Sequence, residues 1–162
     1  MIYCMTMLKQ AETLVELLKA RGLTCATAES CTGGGIGSAI TAVPGSSEVY
    51  WGGVISYDNS VKHGVLGVAE ETLATVGAVS SETAAQMAAG VRALLKTDLA
   101  VSVTGIAGPG GGTPEKPVGL VWFGLSTKDG VRTEKALFTG DRDEVRAKTV
   151  LHALGMLTMG AV

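Results

Sequence analysis

The chain has few aromatic and few charged residues, and it lacks a long hydrophobic run. Aromatic side chains make up 4% and charged side chains 17% of the 162 residues, against 46% that are hydrophobic. That balance excludes disorder and predicts a compact domain large enough to bury a core. No apolar stretch approaches the roughly 20 residues that cross a bilayer, and the N-terminus lacks the pattern of a signal peptide. We therefore expect no membrane partner.

An excess of basic charge is also missing, and cysteine and histidine are scarce. The formal net charge of −2 argues against nucleic acid as a partner. The three cysteines, Cys4, Cys25 and Cys31, do not form a disulfide pattern. With only His63 and His152 beside them, no metal motif emerges. These absences predict a cytoplasmic protein without a metal site.

Helix and strand patterns alternate along the chain. The predicted helices cover residues 6–21, 34–43, 81–95 and 141–159, with two short pieces within 59–76. The predicted strands cover 23–29, 51–57, 99–103, 118–126 and 131–138. The early strand–helix–strand units indicate parallel pairs, whereas the late connections hold no helix, so the fourth strand should run antiparallel to its neighbours. We predict one α/β domain over residues 1–162, a three-layer α/β/α sandwich on a mixed, mostly parallel five-stranded sheet with one antiparallel strand.

The loop after the first predicted strand carries the residues best suited to chemistry. Glu29, Ser30, Cys31 and Thr32 lie where a central strand gives way to a helix, at the sheet edge where α/β proteins bind ligands. Ser30 could attack a carbonyl there while free N–H groups of the helix start hold the oxyanion. The alternative is that Ser30 or Thr32 only caps the helix. Cys31 is a rival nucleophile, but it lacks a histidine partner and fits a small buried residue better.

Two further loops should reach the same edge. Lys62 follows the second strand and could be the base for Ser30 if burial keeps it partly neutral, with Tyr57 assisting proton transfer. The alternative is an ordinary surface lysine. Residues 104–117 follow the third strand, and their glycines let backbone amides approach an anion. Arg142 and Arg146 lie four residues apart near the start of the last helix, where they could hold a phosphate or be solvated.

Six stretches, spread in order over nearly the whole chain, together resemble the CinA C-terminal domain family, which includes stand-alone nicotinamide-nucleotide amidases of the PncC type. The stretches are Thr27–Gly34, Val54–Lys62, Gly77–Ser80, Val103–Pro109, Lys116–Gly119 and Gly140–Arg142. The resemblance implies hydrolysis of the carboxamide of nicotinamide mononucleotide to nicotinate mononucleotide and ammonia, in pyridine-nucleotide recycling. It also implies no cofactor and a homodimer or larger homo-oligomer.

The resemblance assigns the nucleophile to Ser30 and its partners to Tyr57 and Lys62. Contacts with the substrate, a phosphorylated pyridine nucleotide, are expected from Glu29, Cys31, Thr32, Gly33, Thr104, Gly105, Gly108 and Arg142. Two other functions stay open: a catalytically silent nucleotide-binding module, and an amidase for another small amide. A silent module would be expected to lose the set of Ser30, Tyr57 and Lys62, which this chain keeps.

Overall fold

The computed structural model describes residues 2–162, with side chains described from Met5 onward, so Cys4 lies outside the described side chains. The helices are α1 Ile2–Arg21, α2 Gly35–Thr41, α3 Asn59–Gly64, α4 Glu70–Thr75, α5 Ser81–Leu95 and α6 Arg142–Gly160. The strands are β1 Cys25–Glu29, β2 Tyr50–Ile55, β3 Leu99–Gly105, β4 Leu120–Thr127 and β5 Gly130–Leu137. A short 3-10 turn at Ser46–Glu48 adds to the predicted elements.

The five strands form one sheet in the order β2-β1-β3-β4-β5. Strand β1 pairs in parallel with β2 and with β3, whereas β4 pairs antiparallel with both β3 and β5. The prediction of a mixed sheet with one reversed strand is confirmed. It succeeded because a connection without a crossover helix cannot return the chain to the start of a parallel neighbour.

Buried side chains fill the space on both faces of the sheet, which makes the fold a three-layer sandwich. On one face α1, α2 and α6 contribute side chains such as Leu14, Ile40 and Leu154. On the other face α5 packs through Met87 and Val91. Burying a side chain of this size contributes about 1.5–3 kcal/mol, so both outer layers are held mainly by apolar packing.

Local sequence signals set several helix ends. Helix α1 stops before Gly22, whose φ of 63° is in the left-handed region that glycine adopts at little cost. Ser80 caps α5 by accepting a hydrogen bond from the amide of Thr83. Asp141 and Glu144 form a complete capping box at the start of α6. Each of these helix ends therefore follows from residues in the local sequence.

The glycine-rich segment after β3 lies two residues later in the chain than predicted, at 106–119 and not at 104–117. Strand β3 continues through Thr104 and Gly105, which pair with Trp122 and Val121 of β4. Strand β4 begins at Leu120 and not at 118, because the two residues before it belong to the closing turn of the loop. The amide of Gly119 donates to the carbonyl of Ile106 in that turn.

The carboxyl ends of β1, β2 and β3 lie together at one edge of the sheet. Glu29, the last residue of β1, pairs with Ile55 of β2 and Val103 of β3. The three segments that leave this edge begin at Ser30, Ser56 and Ile106, so the predicted site segments converge there. In the part of the chain that the structure describes, no helix has the length and apolar content to span a bilayer.

Candidate active site

A cavity of about 220 Å³ lies at this edge. The segments after β1 and β2, helix α3, the connection into α5, the end of β3 and the start of α6 all contribute to its wall. The lining residues are Ser30, Cys31, Tyr57, Asn59, Lys62, Ala78, Val79, Thr104, Gly105, Ala107 and Arg142. The cavity is therefore built from all three loops that the sequence singled out.

Lys62 reaches Ser30 from α3. Its Nζ lies 3.2 Å from Ser30 Oγ, 2.7 Å from the carbonyl oxygen of Ser56 and 3.2 Å from that of Tyr57. The two carbonyl oxygens can only accept, so they take two N–H groups of the amine. A neutral lysine amine has two N–H groups and one lone pair, and the lone pair then faces Ser30. This is the geometry in which an amine can take the proton of a hydroxyl group.

Burial lowers the pKa of the Lys62 amine from its usual value. The residue is 1% exposed, and removal from water disfavours the charged form of an amine. The negative charge of Asp58, which caps α3, acts in the opposite direction, and so does the Cys31 thiol when ionised. Desolvation is the largest effect, so the pKa of Lys62 moves in the direction that a lysine base requires.

The turn that carries Ser30 leaves two consecutive amides without a partner in another residue. The Ser30 amide donates to the carbonyl of Val103 at 3.0 Å, and the Gly33 amide donates to the carbonyl of Ser30 at 3.1 Å. Among residues 2–162, neither the amide of Cys31 nor that of Thr32 donates a hydrogen bond to another residue. Two adjacent N–H groups directly after a nucleophile are the donors from which an oxyanion hole is built.

The Glu29 carboxylate caps α2, and neither Ser30 nor Thr32 acts as the cap. Its oxygens accept a hydrogen bond from Thr32 Oγ1 at 2.6 Å and, at 2.8–3.1 Å, from three amides at the start of α2: Gly34, Ile36 and Gly37. Glu29 is 2% exposed and does not line the cavity. The structure thus gives Glu29 a position beneath the turn, which differs from the substrate contact predicted for it.

Tyr57 and Arg142 form the exposed side of the cavity. Arg142 donates from Nη1 to the carbonyl of Gly108 at 2.8 Å and from Nη2 to Tyr57 Oη at 3.1 Å. Because the phenol oxygen accepts this bond, its own proton remains available to another group. Both side chains are exposed, so a molecule in the cavity could reach them from the solvent side.

Arg146 does not join Arg142 in the cavity. Its Nε and Nη2 each lie 3.2 Å from a backbone carbonyl oxygen, that of Cys31 and that of Thr32 respectively. Arg146 is also missing from the cavity wall. The two arginines therefore do not face one ligand, and the idea of a paired phosphate site is corrected.

Of the other predicted site residues, some line the cavity and some lie outside its wall. Cys31, Thr104 and Gly105 line the cavity, whereas Thr32, Gly33 and Gly108 do not. Thr104 Oγ1 donates to the carbonyl of Ala78 at 2.8 Å and so fixes that part of the wall. Sequence reasoning missed four wall residues: Asn59, Ala78, Val79 and Ala107. Each lies inside a sequence motif that the family resemblance rests on, and that position could have indicated it. Three of the four have apolar side chains, which gave no indication of a role in chemistry.

Cys31 and the histidines are poor competitors for the roles of Ser30 and Lys62. Burial raises the pKa of the Cys31 thiol to about 12, so the nucleophilic thiolate is scarce at neutral pH. His63 contacts the carbonyl of Val68, and His152 stacks on Phe123 with ring centroids 4.3 Å apart. Neither histidine lines the cavity. Among the described residues, no cluster of three or more His, Cys, Asp and Glu side chains is placed to hold a metal ion.

The family model of the CinA C-terminal domain matches residues 7–160. The chain belongs to the CinA C-terminal domain family. The resemblance carried by the six motifs is thereby confirmed. A CinA-like protein from Cyanothece is 53% identical over 149 residues, which are 91% of this chain and 36% of that protein. A CinA-like protein from Thermotoga maritima is 48% identical over 146 residues, 90% of this chain and 36% of that protein.

The CinA domain thus spans little more than a third of the length of the curated relatives it matches. Solved structures match it over nearly their whole length. The competence/damage inducible protein CihA from Agrobacterium tumefaciens has a TM-score of 0.92 at 45% identity, covering 94% of this chain and 93% of that one. A CinA superfamily protein from Klebsiella pneumoniae has a TM-score of 0.92 at 35% identity, covering 96% and 97%. These matches confirm the α/β fold.

Proposed function

We propose that this CinA domain hydrolyses the carboxamide of nicotinamide mononucleotide to nicotinate mononucleotide and ammonia, with Ser30 as nucleophile. The observation that carries the proposal is the 3.2 Å contact between Lys62 Nζ and Ser30 Oγ inside the cavity. A serine hydroxyl needs a base to become a nucleophile, and Lys62 is a buried amine with a lowered pKa.

In the first step Ser30 Oγ attacks the amide carbon and Lys62 Nζ takes the hydroxyl proton. The carbonyl oxygen of the substrate becomes negatively charged. The amide of Cys31, which lines the cavity, and the adjacent amide of Thr32 have no partner in another residue and stabilise that charge as hydrogen-bond donors. Removing one such donor in a serine hydrolase typically costs about 10²–10³-fold in kcat, so these two amides are a main source of the rate.

In the second step the carbon–nitrogen bond breaks and the nitrogen leaves as ammonia. The proton that Lys62 took from Ser30 goes to the departing nitrogen, and Tyr57 Oη assists as a donor because its oxygen already accepts from Arg142. Water then attacks the acyl-serine ester, Lys62 takes a proton from the water, and the carboxylic acid leaves. The proton held by Lys62 returns to Ser30 Oγ, so the enzyme ends in its starting state.

The shape and charge of the cavity support a small planar amide with an anionic extension. Its volume of about 220 Å³ is below the ~300–1,000 Å³ typical of sites that enclose a whole drug-sized ligand. It therefore suits the carboxamide ring, while the rest of a nucleotide extends to the exposed side. Arg142 lies on that side, where its guanidinium can pair with a phosphate.

The experiment is an ammonia-release assay with nicotinamide mononucleotide, nicotinamide, nicotinamide riboside and glutamine. We expect turnover of the mononucleotide above the other three amides. We expect Ser30→Ala to lower kcat by roughly 10⁴–10⁶-fold, the range for loss of a catalytic serine or its partner. Ser38→Ala, an exposed serine on α2, is the matched control and should keep wild-type activity.

Each other result has a definite meaning. Preferred turnover of another amide, abolished by Ser30→Ala, would keep the serine mechanism and replace the substrate. Native activity in Ser30→Ala would exclude Ser30 as the nucleophile. Binding of the mononucleotide without turnover of any amide would support the silent nucleotide-binding module.

A further inference from the structure

Arg146 contacts the turn that carries Ser30 from outside the cavity. Its side chain is bonded to the carbonyl oxygens of Cys31 and Thr32, both at 3.2 Å. The carboxylate of Asp143 lies 3.9 Å from Nη1 and is 92% exposed, and such surface ion pairs contribute little. The two backbone carbonyls are thus the main partners of this guanidinium.

A hydrogen bond to a carbonyl oxygen also determines where the N–H of the same peptide group points. The C=O and N–H of a trans peptide group lie in one plane and point in opposite directions, and the peptides of this turn are trans. The Cys31 carbonyl and the Thr32 amide share one peptide group. When Arg146 holds the carbonyl on the α6 side, it therefore directs the Thr32 N–H to the opposite side.

The other free amide is held by the turn itself. The Ser30 carbonyl and the Cys31 N–H form one peptide group, and that carbonyl accepts the hydrogen bond from the Gly33 amide at 3.1 Å. In each of these two peptide groups, the carbonyl oxygen thus accepts a hydrogen bond that fixes the direction of the N–H. The donor to the Ser30 carbonyl is the backbone amide of Gly33, and the donor to the Cys31 carbonyl is the side chain of Arg146.

Arginine suits this position better than lysine. Its planar fork can donate to two consecutive carbonyl oxygens at once, whereas the ammonium of lysine is a single point of charge. A cation on the carbonyl side also polarises the peptide group and makes its N–H a stronger donor. The effect would be greatest when negative charge develops on the oxygen that the amide faces.

We propose that Arg146 is a positioning residue of the oxyanion hole, which orients and polarises the Thr32 amide. The inference rests on the proposed serine mechanism and goes beyond it, because Arg146 neither touches the substrate nor exchanges a proton. Its contribution belongs to the transition state, in which the oxyanion exists, and not to substrate binding.

The test compares Arg146→Ala and Arg146→Lys with the wild type, and uses Arg132→Ala on exposed β5 as the matched control. With nicotinamide mononucleotide we expect Arg146→Ala to lower kcat by about 10–100-fold, less than complete loss of an oxyanion donor, while KM changes little. Arg146→Lys should recover only part of the loss. Added guanidinium chloride, at concentrations that do not unfold the protein, should raise the kcat of Arg146→Ala and not that of Arg132→Ala.

A second measurement does not depend on turnover. In ¹H–¹⁵N spectra of the free protein, the Thr32 amide should shift in Arg146→Ala and exchange with solvent faster, while Arg132→Ala leaves it in place. An unchanged kcat together with an unmoved Thr32 amide would overturn the proposal. So would a loss of activity that only follows the loss of folded protein. If the wild type releases no ammonia from any amide, the proposed function fails, and the Thr32 amide still reports whether Arg146 holds the turn.

Discussion

Lys62 is the largest fully buried side chain among the described residues, and its surroundings decide which protonation state is stable. Its nearest polar neighbours are two carbonyls and one hydroxyl, and no carboxylate is bonded to it. An ammonium ion buried without a carboxylate partner is costly, so such a group responds by releasing its proton more easily. At the residue scale, the reactivity of Lys62 thus depends on the absence of a bonded carboxylate as much as on its contact with Ser30.

The first prediction concerns the pH dependence of the reaction. The base must be neutral, so kcat/KM should rise with pH and level off above the pKa of Lys62. Because burial lowers that pKa, the midpoint should fall below the 10.5 of a lysine in water. Lys62→Met and Lys62→Arg should both lose activity, since arginine stays protonated at every accessible pH. Lys128→Met, at an exposed turn, serves as the control.

Asp58→Asn provides a second check on the same titration. The charge of Asp58 raises the pKa of Lys62, whereas an asparagine side chain can still cap α3. The midpoint of the pH–rate curve should therefore move to lower pH in this variant. A midpoint that stays at the value of a free lysine, or a shift to higher pH in Asp58→Asn, would contradict the assignment of Lys62 as the base.

Sequence motifs predicted which residues come near one another, but not which way each side chain points. Ser30, Tyr57 and Lys62 were predicted together, because each follows a strand that ends at the same sheet edge. Glu29 and Arg146 have charged side chains at equally suggestive positions, yet both hold backbone groups of the turn. Their direction depends on packing between the turn, α2 and α6, which no local pattern records.

At the scale of elements, the turn between β1 and α2 is held by one buried carboxylate. Four donors converge on Glu29, which is the last residue of the strand and not the residue that precedes the helix. The chain can turn this sharply because Gly33 and Gly34 have φ values of 60° and 99°, which other residues adopt only with strain. The alternative that Ser30 caps the helix failed because Glu29 reaches the amides first.

The second prediction follows from this arrangement. Glu29→Gln places an N–H₂ group among four donors, so at least one buried donor loses its acceptor. We expect the free energy of unfolding to fall by on the order of 2 kcal/mol, with a lower urea midpoint and an unchanged slope. Glu16→Gln on the exposed side of α1 should leave the midpoint unchanged. An unaltered midpoint in Glu29→Gln would show that the four hydrogen bonds are not what holds the turn.

At the scale of the whole molecule, the direction of the strands was predictable, and the exact ends of the glycine-rich loop were not. Strand direction follows from the presence or absence of a crossover helix, which the sequence displays directly. The ends of the loop depend on pairing between distant residues, such as Thr104 with Trp122. Composition alone describes Thr104 and Gly105 as loop, and only the neighbouring strand makes them β-structure.

The two apolar layers share one sheet, and this predicts how the molecule unfolds. Leu14 belongs to the cluster under α1, α2 and α6, and Met87 belongs to the cluster under α5. Because the same strands present side chains to both clusters, neither layer can lose its packing without exposing the sheet that supports the other. We therefore expect one cooperative transition for the whole chain.

The test uses one large-to-small substitution in each layer. Leu14→Ala and Met87→Ala should each lower the free energy of unfolding by about 2–5 kcal/mol, whereas Leu94→Ala, at a side chain that is 51% exposed, should change it by less than about 0.5 kcal/mol. Within each variant, circular dichroism and the fluorescence of Trp51 and Trp122 should give the same urea midpoint as each other. If Leu14→Ala shifted one signal and Met87→Ala the other, the layers would unfold separately, and α1 and α6 could loosen without disturbing α5. Coincident shifts would mean that a defect on either face reaches the sheet edge that carries the candidate site.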